Sequence, residues 1–185
     1  IGARDGHFSK LIAERFARVV SLDLSKPDVR HPKVECVQGD ASSLQFPDKF
    51  FDLVFCAEVL EHIPSHLLSK VCGEIGRVSA KDIVIGVPYR QDIRVGRTTC
   101  FSCGAKNPPW GHVNSFENET LERSFPQFKV AQVTFVGTNL ARTNSVSTFL
   151  MDYAGNPYGT YDQEESCLSC GRPLVTPPRR RFDQM

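Results

Sequence analysis

The sequence lacks a charge bias: 22 basic residues stand against 21 acidic ones, a formal net charge of +1. No global field therefore draws in a nucleic acid backbone or a membrane surface. It also lacks any apolar run near the ~18 residues needed to span a bilayer. No secretory signal is visible, and the chain opens on Ile1 at what reads as the end of a strand. A truncated N-terminus is the expectation, which makes a missing targeting segment uninformative. Long-period repeats are absent too; the only internal similarity is a pair of Cys-x-Ser-Cys-Gly segments. The one local charge cluster, Arg172 with Arg179, Arg180 and Arg181, reads as a solvated tail.

What remains is the profile of a globular α/β chain. Its 185 residues, 41% hydrophobic, are enough for one domain with a real core and a small appendage. Phe8, Leu11, Ile12 and Phe16 share one helical face. Residues 19–24, 34–37, 52–57 and 82–87 read as strands, and a helix after Pro64 carries Leu67, Leu68, Val71 and Ile75 on one side. Single helices between strands imply a parallel sheet. After Pro88 the rhythm breaks, and residues 89–115 read as an irregular insertion. A short helix over 117–124 is expected, capped by Asn114 or Ser115. Residues 129–136 and 146–153 are rich in β-formers and flank Gly137, which predicts an edge hairpin. The expected organisation is a domain over 1–153 and a tail over 154–185 that completes a module begun in the insertion.

Four signals in the first 62 residues carry chemistry. The turn Gly2-Ala3-Arg4-Asp5-Gly6 lets the backbone approach a ligand and opens a helix toward an anionic group. Its spacing is not the dinucleotide Gly-x-Gly-x-x-Gly. Asp23, closing one strand, suits a ribose diol, because a carboxylate can accept two hydroxyl protons. Asp40, closing the next, can accept the amino protons of adenine. The fourth signal is Phe51-Asp52-Leu53-Val54-Phe55-Cys56-Ala57-Glu58-Val59-Leu60-Glu61-His62-Ile63-Pro64. Each piece alone is commonly a turn, a strand end or a cap; their order at βα spacing makes a nucleoside cofactor site.

Through these residues the chain resembles the class I S-adenosylmethionine-dependent methyltransferases, strongly over about 1–90 and loosely over 110–153. The resemblance implies a Rossmann-like, mostly parallel seven-stranded sheet with a C-terminal antiparallel hairpin. It also implies that Gly2, Ala3 and Gly6 hold the methionine moiety, with Asp5 in the same cofactor-binding turn, that Asp23 binds the ribose, and that Asp40 and Ala41 flank the adenine. Cys56 and Ala57 would line the methionine side. One departure stands out: Arg4 takes the place of the family's middle glycine.

Methyl transfer needs an aligned acceptor and a route for its proton. Glu58, Glu61 and His62 share a face if the run is helical, and His112 follows later in Trp110-Gly111-His112. His62 then serves as lone base or acceptor-positioning group, with Glu58 and Glu61 as partners, and His112 is a further catalytic candidate. A second reading, by resemblance to small-RNA 2′-O-methyltransferases, makes Glu58, Glu61, His62 and His112 a divalent site for Mg2+ or Mn2+. Common occurrence of this run without metal weighs against it.

Of the seven cysteines, Cys36, Cys56 and Cys72 sit in or beside apolar runs and read as buried hydrophobes. Cys100, Cys103, Cys167 and Cys170 form two matched knuckles, which together supply four thiolates for a closed tetrahedral zinc site. Such pairs suggest a reducing, cytoplasmic setting rather than disulfides. The leading expectation is an enzyme that methylates an oxygen on a small molecule or glycan, without membrane contact and with nucleic acid disfavoured. An RNA methyltransferase and an inactive binding module are the alternatives. Trp110, beside the first knuckle, could stack on an acceptor or pack the zinc module.

Overall fold

A computed structural model describes residues 1–177, so Arg179, Arg180 and Arg181 of the basic tail lie outside the described residues. The chain divides into two compact units, one of Ile1–Pro88 with Glu117–Val133, the other of Tyr89–Phe116 with Thr134 onward.

The first unit alternates as the sequence predicts: α1 (His7–Ala13), β1 (Val19–Asp23), β2 (Val34–Gln38), β3 (Phe51–Ala57), α2 (Ser65–Val78) and β4 (Ser79–Gly86). A 3-10 turn, Leu60–His62, lies between β3 and α2. β1 pairs with β2 in parallel, Val19 opposite Val34 and Asp23 opposite Gln38. β3 pairs with β4 in parallel, with Cys56 opposite Ile85. α2 packs on β3 and β4. It buries Val71, Cys72, Ile75 and Val78, a helical spacing along one face. Burying an aliphatic side chain contributes roughly 1.5–3 kcal/mol, so this face is a main support of the unit. The polar residue inside β1 is accounted for as well: buried Ser21 donates its hydroxyl to Ser9 of α1.

The two parallel pairs do not form one sheet. An apolar cleft is lined by Val20 and Leu22 of β1, Leu53 and Phe55 of β3, and Phe8 and Ile12 of α1. Ile1 N donates to Phe55 O (2.8 Å). Gly2 N donates to Leu22 O (2.9 Å), so these two residues bridge the pairs at one end of the cleft. Among the described residues the strands form three two-stranded sheets, not a seven-stranded one.

The third sheet lies in the second unit, where β5 (Thr98–Thr99) runs antiparallel to β6 (Lys106–Asn107). Regular structure is otherwise sparse across 89–115, as expected for an insertion. The helix near 117 is α3 (Asn118–Ser124), in the first unit. Its N-cap position is Glu117 and makes no side-chain cap bond. Ser115, expected as a cap, donates its hydroxyl to Gln91 O instead (2.8 Å).

The predicted edge hairpin is not present. Residues 129–136 have no strand, and the second arm is a helix, α4 (Ser145–Ala154). Local signals explain the outcome. Asn144 Oδ1 accepts from Ser147 N, capping the start, and Gly155 in the left-handed region closes the end. No helix among the described residues is long and apolar enough to cross a membrane.

Candidate functional site

The glycine turn is built on backbone contacts. Gly2 and Gly6 both have left-handed backbones, and a Cβ on either would lie 2.2 Å from Val59 Cγ2 or 2.1 Å from Val29 Cγ2. Only glycine fits both the conformation and the space. Arg4 lies in the left-handed region as well (φ 39°). That geometry aims its backbone N–H at Asp23 Oδ2, 2.9 Å away. The main chain needed at this position is therefore made despite the side chain, at the strain typical of a non-glycine residue there. Asp5 turns inward on its own loop, with Oδ1 accepting from His7 N (3.0 Å) at the start of α1.

Asp23 ends β1, and Asp40 lies in the turn just past the end of β2 on the same edge, as the register pairing Asp23 with Gln38 requires. Gly39 N donates to Asp23 O (2.9 Å), tying the end of β2 to that of β1. Asp40 Oδ1 accepts from Ser42 N (2.7 Å), and this bond holds its carboxyl below the usual range. Ala41 beside it is buried. Neither Asp23 nor Asp40 lines the apolar cleft, whereas Gly2, Ala3 and Ala57 do so.

After β3 the backbone departs from helical geometry. Glu58 is left-handed (φ 54°), and only Leu60–His62 form a 3-10 turn, so the run is not α-helical; Glu61 and His62 still bring a carboxylate oxygen and a ring nitrogen within 4.8 Å of each other. Cys56 points into the core, and burial pushes its thiol up to about 12. Glu58 and His62 are exposed. Glu61 is fully buried, and neither carboxylate oxygen makes a hydrogen bond of good geometry, although the Glu58 carboxyl and the backbone N–H groups of Val59 and Glu61 lie beside it. Burial, aided by the charge of Glu58, raises its pKa to about 7.

His112 belongs to the second unit. It is 8% exposed, with Nδ1 2.6 Å from Gln91 Oε1. With Oε1 as acceptor, the ring proton sits on Nδ1. Sequence reasoning did not find Gln91, because a lone glutamine in an insertion carries no pattern. Trp110 is left-handed (φ 52°) and half-exposed, its ring centroid 5.9 Å from that of His112.

The four cysteines that sequence spacing paired do converge. The sulfurs of Cys100, Cys103, Cys167 and Cys170 all lie within 4.8 Å of one another. Cys100 and Cys170 are 3.7 Å apart, as are Cys103 and Cys167. A disulfide needs about 2.05 Å, so these are not bonded pairs. A tetrahedron with metal–sulfur bonds of about 2.3 Å has edges of about 3.8 Å, which the cluster matches. The knuckles are also built alike. Gly104 N donates to Cys100 O and Gly171 N to Cys167 O, each at 2.8 Å. Cys100 N bonds Ala105 O and Cys167 N bonds Arg172 O, each at 2.9 Å. Burial opposes ionisation of Cys167, but N–H bonds from Cys170 and Ser169 and bonds from Cys103 and Cys100 bring it to about 6. Asn107, itself buried, accepts Leu168 N (2.9 Å) and ties the second knuckle to β6.

Residues 1–83 match the protein family described as "Methyltransferase domain". No curated protein matches the chain. Among solved structures, the YcgJ protein of Bacillus subtilis aligns with a TM-score of 0.52 at 20% identity, over 68% of this chain and 58% of that one. A protein of Bacillus halodurans, described as a candidate methyltransferase, aligns with a TM-score of 0.52 at 19% identity and the same two coverages. The chain thus spans a little under three-fifths of these structures, and the likeness is one of fold. The family match covers residues 1–83, a little under half of the chain, and describes that segment as a methyltransferase domain.

Proposed function

We propose that this chain, with its methyltransferase domain over residues 1–83, moves a methyl group from S-adenosylmethionine to an oxygen of a small molecule or glycan. The observation that carries the cofactor half is the bond from Arg4 N to Asp23 Oδ2. It joins the glycine turn to the acid at the end of β1 and orients that carboxylate before any ligand arrives. In this reading Gly2, Ala3 and Gly6 form the close backbone approach for the methionine moiety. Asp5 shapes the same turn through His7. Asp23 takes the ribose hydroxyls, while Asp40 and Ala41 meet the adenine. The Cys56–Ala57 backbone borders the methionine side, since the Cys56 side chain is committed to the core. His62, with Glu58 beside the same strand end, handles the acceptor, and His112 is kept as a positioning candidate.

The four sulfurs fit Zn2+ by edge length and donor type, and a complete thiolate set leaves no place for water, so the ion's part is structural. A second reading adds a divalent ion such as Mg2+ or Mn2+ at Glu61. It is favoured by the two buried carboxylate oxygens there, which make no hydrogen bond of good geometry and which a cation would satisfy.

Titration calorimetry with S-adenosylmethionine tests the main reading, with a micromolar Kd expected. Absence of binding would leave an inactive methyltransferase fold. Transfer assays over hydroxylated small molecules, glycans and RNA then assign the acceptor, and methylation of RNA alone would overturn the small-molecule assignment.

A further inference from the structure

The loop after Asp40 is fastened to one turn of α2 by a single guanidinium. Arg77 Nε and Nη2 donate to Glu74 Oε1 and Oε2 at 2.7 and 2.8 Å. Nη1 donates to Phe46 O and Asp48 Oδ1, both at 2.8 Å, and Nη2 also donates to Leu44 O at 2.9 Å. All five donors of the fork are used, which no lysine could reproduce. The grip is completed from the main chain. Leu44 N donates to Glu74 Oε2 (2.8 Å), and Lys49 N donates to Arg77 O (2.8 Å). Residues 44–49 are thereby held at both ends and in the middle.

An exposed ion pair would mean little. Here the Glu74 side chain is only 19% exposed, and the acceptors include two backbone carbonyls that would otherwise need water. The loop's other end is Asp40. Its Oδ1 and O accept Ser42 N and Ser43 N, so the clamped Leu44 directly follows the turn that presents Asp40 and Ala41.

We propose that Arg77 is a positioning residue for adenine recognition, its fork holding residues 44–49 so that Asp40 and Ala41 are fixed before the nucleoside binds. The proposal rests on the cofactor reading above. A loop already ordered spares the ligand the entropy of ordering it, and it keeps the Asp40 carboxylate in register with the amino group.

The test compares S-adenosylhomocysteine with its hypoxanthine counterpart, which lacks the amino group, by calorimetry on the whole chain. Wild-type protein should prefer the adenine form by about tenfold or more. Arg77→Lys should weaken the adenine form about tenfold and reduce the preference below about threefold. Amides of residues 41–49 should exchange faster. A role in stability alone would lower Tm and the fraction of competent protein but leave the preference intact. Asp48→Asn, on the exposed side of the loop, serves if Arg77→Lys does not fold, with a two- to threefold loss of preference expected. Unchanged preference in the folded variants overturns the positioning role alone. A wild-type protein that binds neither ligand overturns the cofactor reading and this proposal with it.

Discussion

The first unit stands on an aliphatic core: Val71, Ile75 and Val78 of α2 are buried, as are Val54 and Leu60 near its strands. The second unit has a cluster of Cys100, Cys167 and Leu174, with Ala105 and Tyr161 packed against it. Two of those three buried residues offer sulfur rather than hydrocarbon. Polar ties do the rest, among them Thr99 N to Tyr161 Oη (3.0 Å) and Lys106 Nζ to Asp152 O (2.7 Å). The contrast sets a unit held by an aliphatic core against one that buries Phe116 and Pro109 but whose packed cluster is mostly thiol. A small unit of that kind gains most from a staple.

The largest expected effect breaks that contrast directly. On the zinc reading proposed above, metal analysis should find about one ion per chain, and Cys167→Ser should remove it together with on the order of 10 kcal/mol of folding free energy. Amide exchange should lose protection across residues 96–116 and 152–172 while S-adenosylmethionine binding by the first unit persists. Equal collapse of both units, or zinc retained at full stoichiometry, would refute the separation.

Next in size is a pH effect confined to the first unit. Glu61 moves from an ordinary 4.5 to about 7 in the folded state, so folding favours its protonated form. Its contribution is whole below about pH 4.5 and is lost as pH rises through about 7, at most about 3 kcal/mol. Denaturant titrations should show stability falling between about pH 4.5 and 7 and levelling off above, with the slope abolished in Glu61→Gln. A flat wild-type profile would mean that a cation or an unrecognised donor already compensates the carboxylate.

Asp23→Ala should weaken S-adenosylmethionine about 100-fold, through lost ribose bonds and a released Arg4 N–H, without altering zinc content. The smallest change is Arg4→Gly. Relief of the left-handed strain should stabilise the first unit by about 1 kcal/mol, measured by urea midpoint, and leave the second unit unmoved.

Much of the first unit was legible because its signals are periodic. Val71 and Ile75 declare the α2 face, and the apolar runs at 19–22 and 52–57 lie within observed strands. The cysteine cluster was legible because two identical knuckles imply one site. The hairpin was misjudged because Val146, Thr148 and Phe149 have strand propensity. Yet Val146, Phe149, Leu150 and Tyr153 fall at helical spacing, and Asn144 and Gly155 are helix punctuation. The left-handed Glu58 carries no sequence mark, so α-helical spacing was extended over a stretch that bends away. Arg77 was half visible: Glu74 and Arg77 are an i, i+3 pair, but the carbonyls that complete the fork belong to a loop without pattern.

The distance along the chain between the two knuckles has a topological consequence. Cys100 and Cys170 stand 70 positions apart, so an ion held by both closes a loop containing much of the polypeptide. Because such an ion leaves when the chain unfolds, it constrains the folded state alone, and closing so long a loop is a cost that its binding free energy must exceed. With the ion bound as proposed, a protease cut between Cys103 and Cys167 would leave two fragments that travel together, and a chelator should loosen them.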